Sequence, residues 1–213
     1  MIAKYIDIFY YVIILLLALK SIFFTKRIDF AIQSFLCVYI IVTAILEIYC
    51  LVIFKIDNKA IIGFWYNIYC FFCIIFFRYY YRNIFKNTFS NIIFISSILF
   101  YLIFTKFYSK EFDIKIGILI SLYYIFCSLV WFYQKISSIN EAPITNDPDF
   151  WVSTGILMWS SFFIFRVIPM FFLRENDQQF LDVLRTIQNF INILMYLMFF
   201  IAMIKYERKQ KYS

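Results

Sequence analysis

Long apolar stretches recur along this chain with only short charged segments between them, and that recurrence decides the solvent in which it can fold. A helical crossing of about 30 Å of hydrocarbon takes roughly 20 apolar residues at a rise of about 1.5 Å each. The stretches that approach or exceed this length are Tyr5–Phe24, Ile28–Phe54, Ala60–Phe77, Phe89–Phe104, Ile114–Phe132, Phe150–Leu173 and Thr186–Ile204. Lys26 and Arg27, the segment from Lys55 to Lys59 and the segment from Arg78 to Arg82 punctuate them. The fourth stretch is the shortest. Apolar residues come in continuous runs instead of alternating, which excludes spanning β-strands. Inside lipid every backbone polar group must find a partner within the chain, so the expectation is all-α. The fold predicted is a polytopic transmembrane helical bundle of about seven spans, a single integral membrane domain over residues 1–213.

Composition agrees. Hydrophobic residues make up 64% of the chain and charged residues 15%, against about 25% charged in soluble domains. So few charges could not cover that much apolar surface in water, and the lipid bilayer is the expected partner. The net charge of +7 is spread over the connecting segments and not along one face. That pattern suits loops lying on anionic headgroups and argues against a nucleic-acid groove. With 30 Phe and 18 Tyr the chain could build aromatic cages; the preferred reading is codon bias, because Phe, Tyr, Ile, Lys and Asn all have A/T-rich codons. The first stretch ends in Leu19, Lys20 and Ser21 with no small-x-small cleavage site, so a retained helix is expected. Only 3 Gly and 3 Pro occur, little material for broken helices or close glycine packing.

Orientation follows from the Lys and Arg residues between spans. On the side of the N-terminus fall Lys4, Lys55, Lys59, Lys106, Lys110, Lys115, Arg174 and Arg185. On the other side fall Lys26, Arg27, Arg78, Arg82, Lys86 and Lys135, with Lys205, Arg208, Lys209 and Lys211 of the tail. The dense tail predicts a multi-pass protein of the inner (cytoplasmic) membrane with its N-terminus outside and its C-terminus in the cytoplasm.

Catalytic chemistry is hard to find. The chain has no His, so Ser-His and Cys-His pairs and His-ligated zinc are excluded. No phosphate-binding or nucleophile-elbow motif is present. Cys70 and Cys73 have redox or metal-pair spacing, but Tyr69, Phe71, Phe72 and Ile74 surround them. There a thiol behaves as a small hydrophobe, as do Cys37, Cys50 and Cys127. Glu141, Asp147 and Asp149 read as a solvated loop with Asn146-Asp147-Pro148 turn chemistry. Neither enzymatic activity, a metal nor a cofactor is expected.

Charges within spans cost about 2.5–3.5 kcal/mol each on insertion scales and call for partners. Glu47 in the second span and Arg166 in the sixth lie at matching depth below the same face, since the two spans run the same way. Gly155, Trp159 and Arg166 share a helical face; Asp182, Arg185, Asn189, Asn192 and Tyr196 form a stripe on the last span. Asn67 enters the third span from the same side. A polar cluster of Glu47, Asn67, Arg166, Asn189 and Asn192 is therefore predicted. Its preferred role is to fix helix packing through a Glu47–Arg166 pair and amide bonds, with a ligand or ion site as the alternative. The amphipathic run from Arg174 to Arg185 fits either a short interfacial helix or the solvated first turns of the last span, and the second reading is preferred.

Asn146-Asp147-Pro148-Asp149-Phe150-Trp151, opening a span, resembles a segment of multi-spanning membrane proteins of Bacteroidota encoded beside sensor histidine kinases with LytTR-type regulators. The resemblance implies a signalling context and supplies no mechanism. The function expected is that of a non-enzymatic sensory or signal-coupling membrane component, with a membrane or cytoplasmic signalling protein as partner. The alternative is a small transporter or channel using the intramembrane polar cluster.

Overall fold

The structure is a computed structural model that describes residues 2–25, 32–55, 62–85, 88–105, 113–137, 143–173 and 178–211. Its α-helices are α1 (Ile2–Thr25), α2 (Ile32–Lys55), α3 (Ile62–Tyr80), α4 (Thr88–Phe104), α5 (Ile114–Ser137), α6 (Pro148–Leu173) and α7 (Gln178–Lys211). A 3-10 turn, Ile144–Asn146, precedes α6, and no strand occurs among the described residues. The protein is all-α. Five helices, α1, α2, α5, α6 and α7, are long and apolar enough to cross a membrane. At 17 residues α4 is apolar but short of a full crossing. In α3 the 19 residues include Asn67, Arg78, Trp65 and several Tyr, which dilute its apolar character. Lipid also accounts for the outer surface. Leu16 is 60% exposed, Ile45 62% and Ile103 73%, and soluble monomers rarely leave such residues in extended apolar faces. This is a membrane-embedded protein.

Helix boundaries carry two findings. The sixth helix opens at Pro148, two residues before the apolar run begins at Phe150. Proline suits the first helical position because its missing N–H would be unsatisfied there anyway, and the Asp147 carboxylate accepts from the Asp149 backbone N–H at 3.1 Å. The last helix opens at Gln178 and not at Thr186, so its first two turns are the amphipathic segment Gln178 to Arg185. Leu184 within them is buried and anchors those turns. Pro169 lies inside α6 near its end, where it removes one backbone hydrogen bond.

The chain divides into two compact units, Met1–Leu19 with Tyr124–Ser213, and Lys20–Tyr123. In the second unit, aromatic rings join α2 to α3: Tyr39 lies 5.0 Å from Phe76 and 5.4 Å from Phe77. Phe71 stacks on Tyr101 of α4 at 5.1 Å. Pairs of this kind add about 0.5–1.5 kcal/mol each beyond area burial. In the first unit, α6 and α7 form a closely packed antiparallel hairpin. At Gly155 a Cβ would lie 3.4 Å from the Phe199 ring and 3.5 Å from Met195, ordinary contact distances that leave room for a methyl group but no more. Ser128 of α5 donates to the Ser153 carbonyl at 3.0 Å, and Tyr10 of α1 lies 5.9 Å from Tyr196.

Several hydroxyls inside the helices close on their own helix. Ser97, Ser121, Thr154 and Ser160 each donate to the carbonyl four residues earlier. Lipid offers no water for these groups, and the local bond makes each of them tolerable there.

Candidate functional site

Of the residues predicted to cluster, Glu47 and Asn67 lie in one unit and Arg166, Asn189 and Asn192 in the other. In the first of these groups, the Tyr66 hydroxyl donates to the Glu47 carboxylate at 3.2 Å. One turn away, Thr43 and Tyr69 share a hydrogen bond of 2.6 Å, and Thr43 also donates to the Tyr39 carbonyl. Asn67 is wholly buried. Its side-chain oxygen accepts from the Asp113 backbone N–H at 3.5 Å, and its carbonyl accepts from Tyr101 at 2.8 Å. Asn67 thereby ties α3 to α4 and to the start of α5. These bonds run within α2, between α2 and α3, and from α3 to α4 and Asp113.

The second group lies along the α6–α7 hairpin. Trp159 donates from Nε1 to Asn192 Oδ1 at 2.6 Å, and Gln188 donates to the same oxygen at 3.3 Å. Trp159 is stacked on Phe163 at 5.3 Å and lies 5.9 Å from Tyr124 of α5. On the outer side of α7, Asn189 donates to Asp7 of α1 at 2.6 Å. With Trp159 level with Asn192, the antiparallel register sets Phe163 level with Gln188 and Arg166 level with Arg185. Arg166 turns its guanidinium over the Phe163 ring, 5.6 Å from its centre. Arg185 is close enough for its charge to act on Arg166. Among the described residues neither arginine pairs with a carboxylate, and Arg166 Nε and Gln188 Oε1 are buried with no hydrogen-bond partner.

The opposite end of the hairpin is a ring of satisfied polar groups. Lys135 pairs with Asp147 at 2.5 Å. Lys205 donates to Asn146 and Tyr206 to Asp149, each at 2.9 Å. Trp151 donates from its indole to the Thr145 carbonyl at 2.9 Å. The acidic loop expected to be merely solvated therefore holds the bases of α5, α6 and α7 together. At about 1.5 Å per residue, Pro148 to Arg166 covers about 27 Å and Arg185 to Lys205 about 30 Å. These are close to one hydrocarbon thickness of about 30 Å. Arg166 and Arg185 thus lie near one boundary of the hydrocarbon when the Lys205 ring lies at the other.

All five cysteines are buried, and no disulfide joins them. Cys70 and Cys73 lie on α3 between aromatic residues, and among the described residues no group of three metal-ligating side chains occurs.

Several residues of these networks were not singled out by sequence reasoning. Tyr66, Tyr69, Thr43 and Gln188 carry no charge and look like ordinary span residues; only their helical distance from Glu47 or Asn192 signals a role. Asp7 was overlooked because it lies in the first turns of α1. No known protein family, curated protein or solved structure matches this chain.

Proposed function

We propose that this chain is a non-enzymatic sensory or signal-coupling component of the cytoplasmic membrane, acting on a membrane or cytoplasmic signalling partner. One observation carries the reading: α7 is a single helix of 34 residues. It is about 51 Å long, against about 30 Å of hydrocarbon. About half of its excess length extends past the Lys205 ring into the basic segment Lys205 to Lys211. A helix without a break moves as a rod, so a shift at its Arg185 end is carried to the tail. The bonds from Lys205 to Asn146 and from Tyr206 to Asp149 set the resting position that such a shift would release. The resemblance of the segment Asn146 to Trp151 to proteins encoded beside sensor kinases supports the same direction.

The test places a photo-cross-linking amino acid at Arg208 in cells. A discrete adduct with one signalling protein is expected, and Lys209→Gln with Lys211→Gln should abolish it while membrane yield stays unchanged. A second reading, a small transporter or channel, is favoured by the unpartnered Arg166 Nε and Gln188 Oε1 within the hairpin. Solute flux through the purified protein in liposomes, with no adduct at position 208, selects that reading and refutes the first.

A further inference from the structure

We propose that the α6–α7 hairpin binds a phosphate-bearing anion between Arg166 and Arg185, with the Gln188 carboxamide as an additional contact. The inference rests on the hairpin's own geometry and stands whether or not the tail couples to a partner. By register Arg166 and Arg185 lie level on facing helices, and among the described residues neither pairs with a carboxylate. Two neighbouring cations at a hydrocarbon boundary repel each other, and an anion between them removes that cost. Arg166 already has one face covered by Phe163, yet its Nε is buried and lacks a partner. Phosphate oxygens accept from a guanidinium in a bidentate fork, which suits an N–H of this kind.

Gln188 supplies a second and independent pointer. It is 4% exposed. Its amide N–H is committed to Asn192, while its Oε1 has no donor among the described residues. An orphaned buried acceptor costs about 1–3 kcal/mol, and a ligand carrying an O–H or N–H would satisfy it. By register Gln188 lies level with Phe163, about one helical turn farther from the α6–α7 connection than the arginine pair. The ligand that fits has its anionic group at the arginines and a hydroxyl or amide donor about one turn, about 5 Å, nearer the bilayer centre.

The arginines lie near a hydrocarbon boundary, so the phosphate can come from a lipid headgroup or from a free anion in water. Arg185 is exposed at the hairpin surface and can meet either. The opposite end of the hairpin makes a useful contrast. There Lys135 is held by Asp147 and Lys205 by Asn146. The Arg166–Arg185 end leaves that role to a ligand.

Binding is read on the full chain in detergent, by native mass spectrometry and by thermal stability, with three probes. These are phosphatidylglycerol, phosphatidylcholine and inorganic phosphate. The expected result is retention of phosphatidylglycerol over phosphatidylcholine, falling about tenfold in Arg185→Gln and in Arg166→Gln, as suits the loss of one charge-assisted bond of about 1.5 kcal/mol. Arg185 is exposed, so its variant reports binding even where Arg166→Gln fails to fold. Stabilisation by inorganic phosphate, with the same dependence on Arg185 and no lipid preference, assigns the phosphate to a soluble ligand and supports the site. Equal retention of all three probes by wild type and Arg185→Gln overturns the proposal. So does a loss of stability in Glu175→Gln with Asp177→Asn that matches Arg166→Gln, because chain carboxylates would then serve the arginines.

Discussion

Replacing Asn192 with Leu removes the shared acceptor of the α6–α7 hairpin while keeping the side chain's size. Asn192 Oδ1 accepts from Trp159 Nε1 at 2.6 Å and from Gln188 at 3.3 Å. Both donors lose their partner in the variant, and an orphaned buried donor costs about 1–3 kcal/mol. In membranes, measured interhelical bonds average about 0.6 kcal/mol, with a maximum near 1.7, because the separated helices find other partners. The Trp159 bond is short and half-buried and belongs toward the upper part of that range, while the Gln188 bond lies within α7, between residues four apart, and adds about 0.2–0.5 kcal/mol. Together they place Asn192→Leu about 2 kcal/mol below wild type. Leucine's greater affinity for lipid changes this little, since it favours the separated and the packed helices alike. The assay is reversible unfolding in mixed micelles across the cycle of Trp159→Phe, Asn192→Leu and the pair. A coupling of about 1 kcal/mol between Trp159 and Asn192 is expected. Additive losses, with a coupling below about 0.3 kcal/mol, would refute the bond as a contributor to hairpin packing.

Three further outcomes follow from the geometry. Gly155→Ala should leave stability near wild type or raise it by up to about 1 kcal/mol, because the added Cβ meets ordinary contact distances of 3.4 and 3.5 Å; Gly155→Leu should split the hairpin, and both are read by the same unfolding assay. Cys70→Ala with Cys73→Ala should leave folded yield and bound metal unchanged, and stoichiometric metal lost on that change in elemental analysis would reverse the reading of the two thiols. Glu47→Gln and Tyr66→Phe should each reduce detergent-stable protein, and the double variant should lose less than the sum, because the Tyr66 hydroxyl donates to the Glu47 carboxylate; strictly additive losses would show that the two side chains do not interact.

The sequence was most legible where a long-range rule applies. Continuous apolar runs forecast helices of membrane length, and α1, α2, α5, α6 and α7 have it. Helix ends were less legible. The first turns of α7 mix Gln178, Gln179, Asp182 and Arg185 with Phe180, Leu181, Val183 and Leu184, of which Leu184 is buried while Phe180 and Val183 are exposed, and which apolar residue is covered is not written in the spacing alone. Among the polar residues, charge and amide groups drew notice, and Asn67, Asn189 and Asn192 each hold an inter-element hydrogen bond. Their partners were hidden because Tyr, Trp and Thr are ordinary residues in a span until a neighbouring helix is placed beside them. The register that brings Arg166 level with Arg185 likewise follows from the Trp159–Asn192 bond and not from spacing alone. The reading of Asp147 and Asp149 as merely solvated missed Lys135 and Tyr206 for the same reason.

The central claim is that α6 and α7 cross a bilayer, with the Arg185 end at one face and the Lys205 ring at the other. Single cysteines at Gln179 and at Arg208, placed in a chain otherwise free of cysteine, test it directly through labelling of intact cells with a membrane-impermeant maleimide. Gln179 should label before lysis and Arg208 only after the membrane is opened, with the protein resisting carbonate extraction. Labelling of both positions from the same side, or release of the protein by carbonate, would contradict the claim.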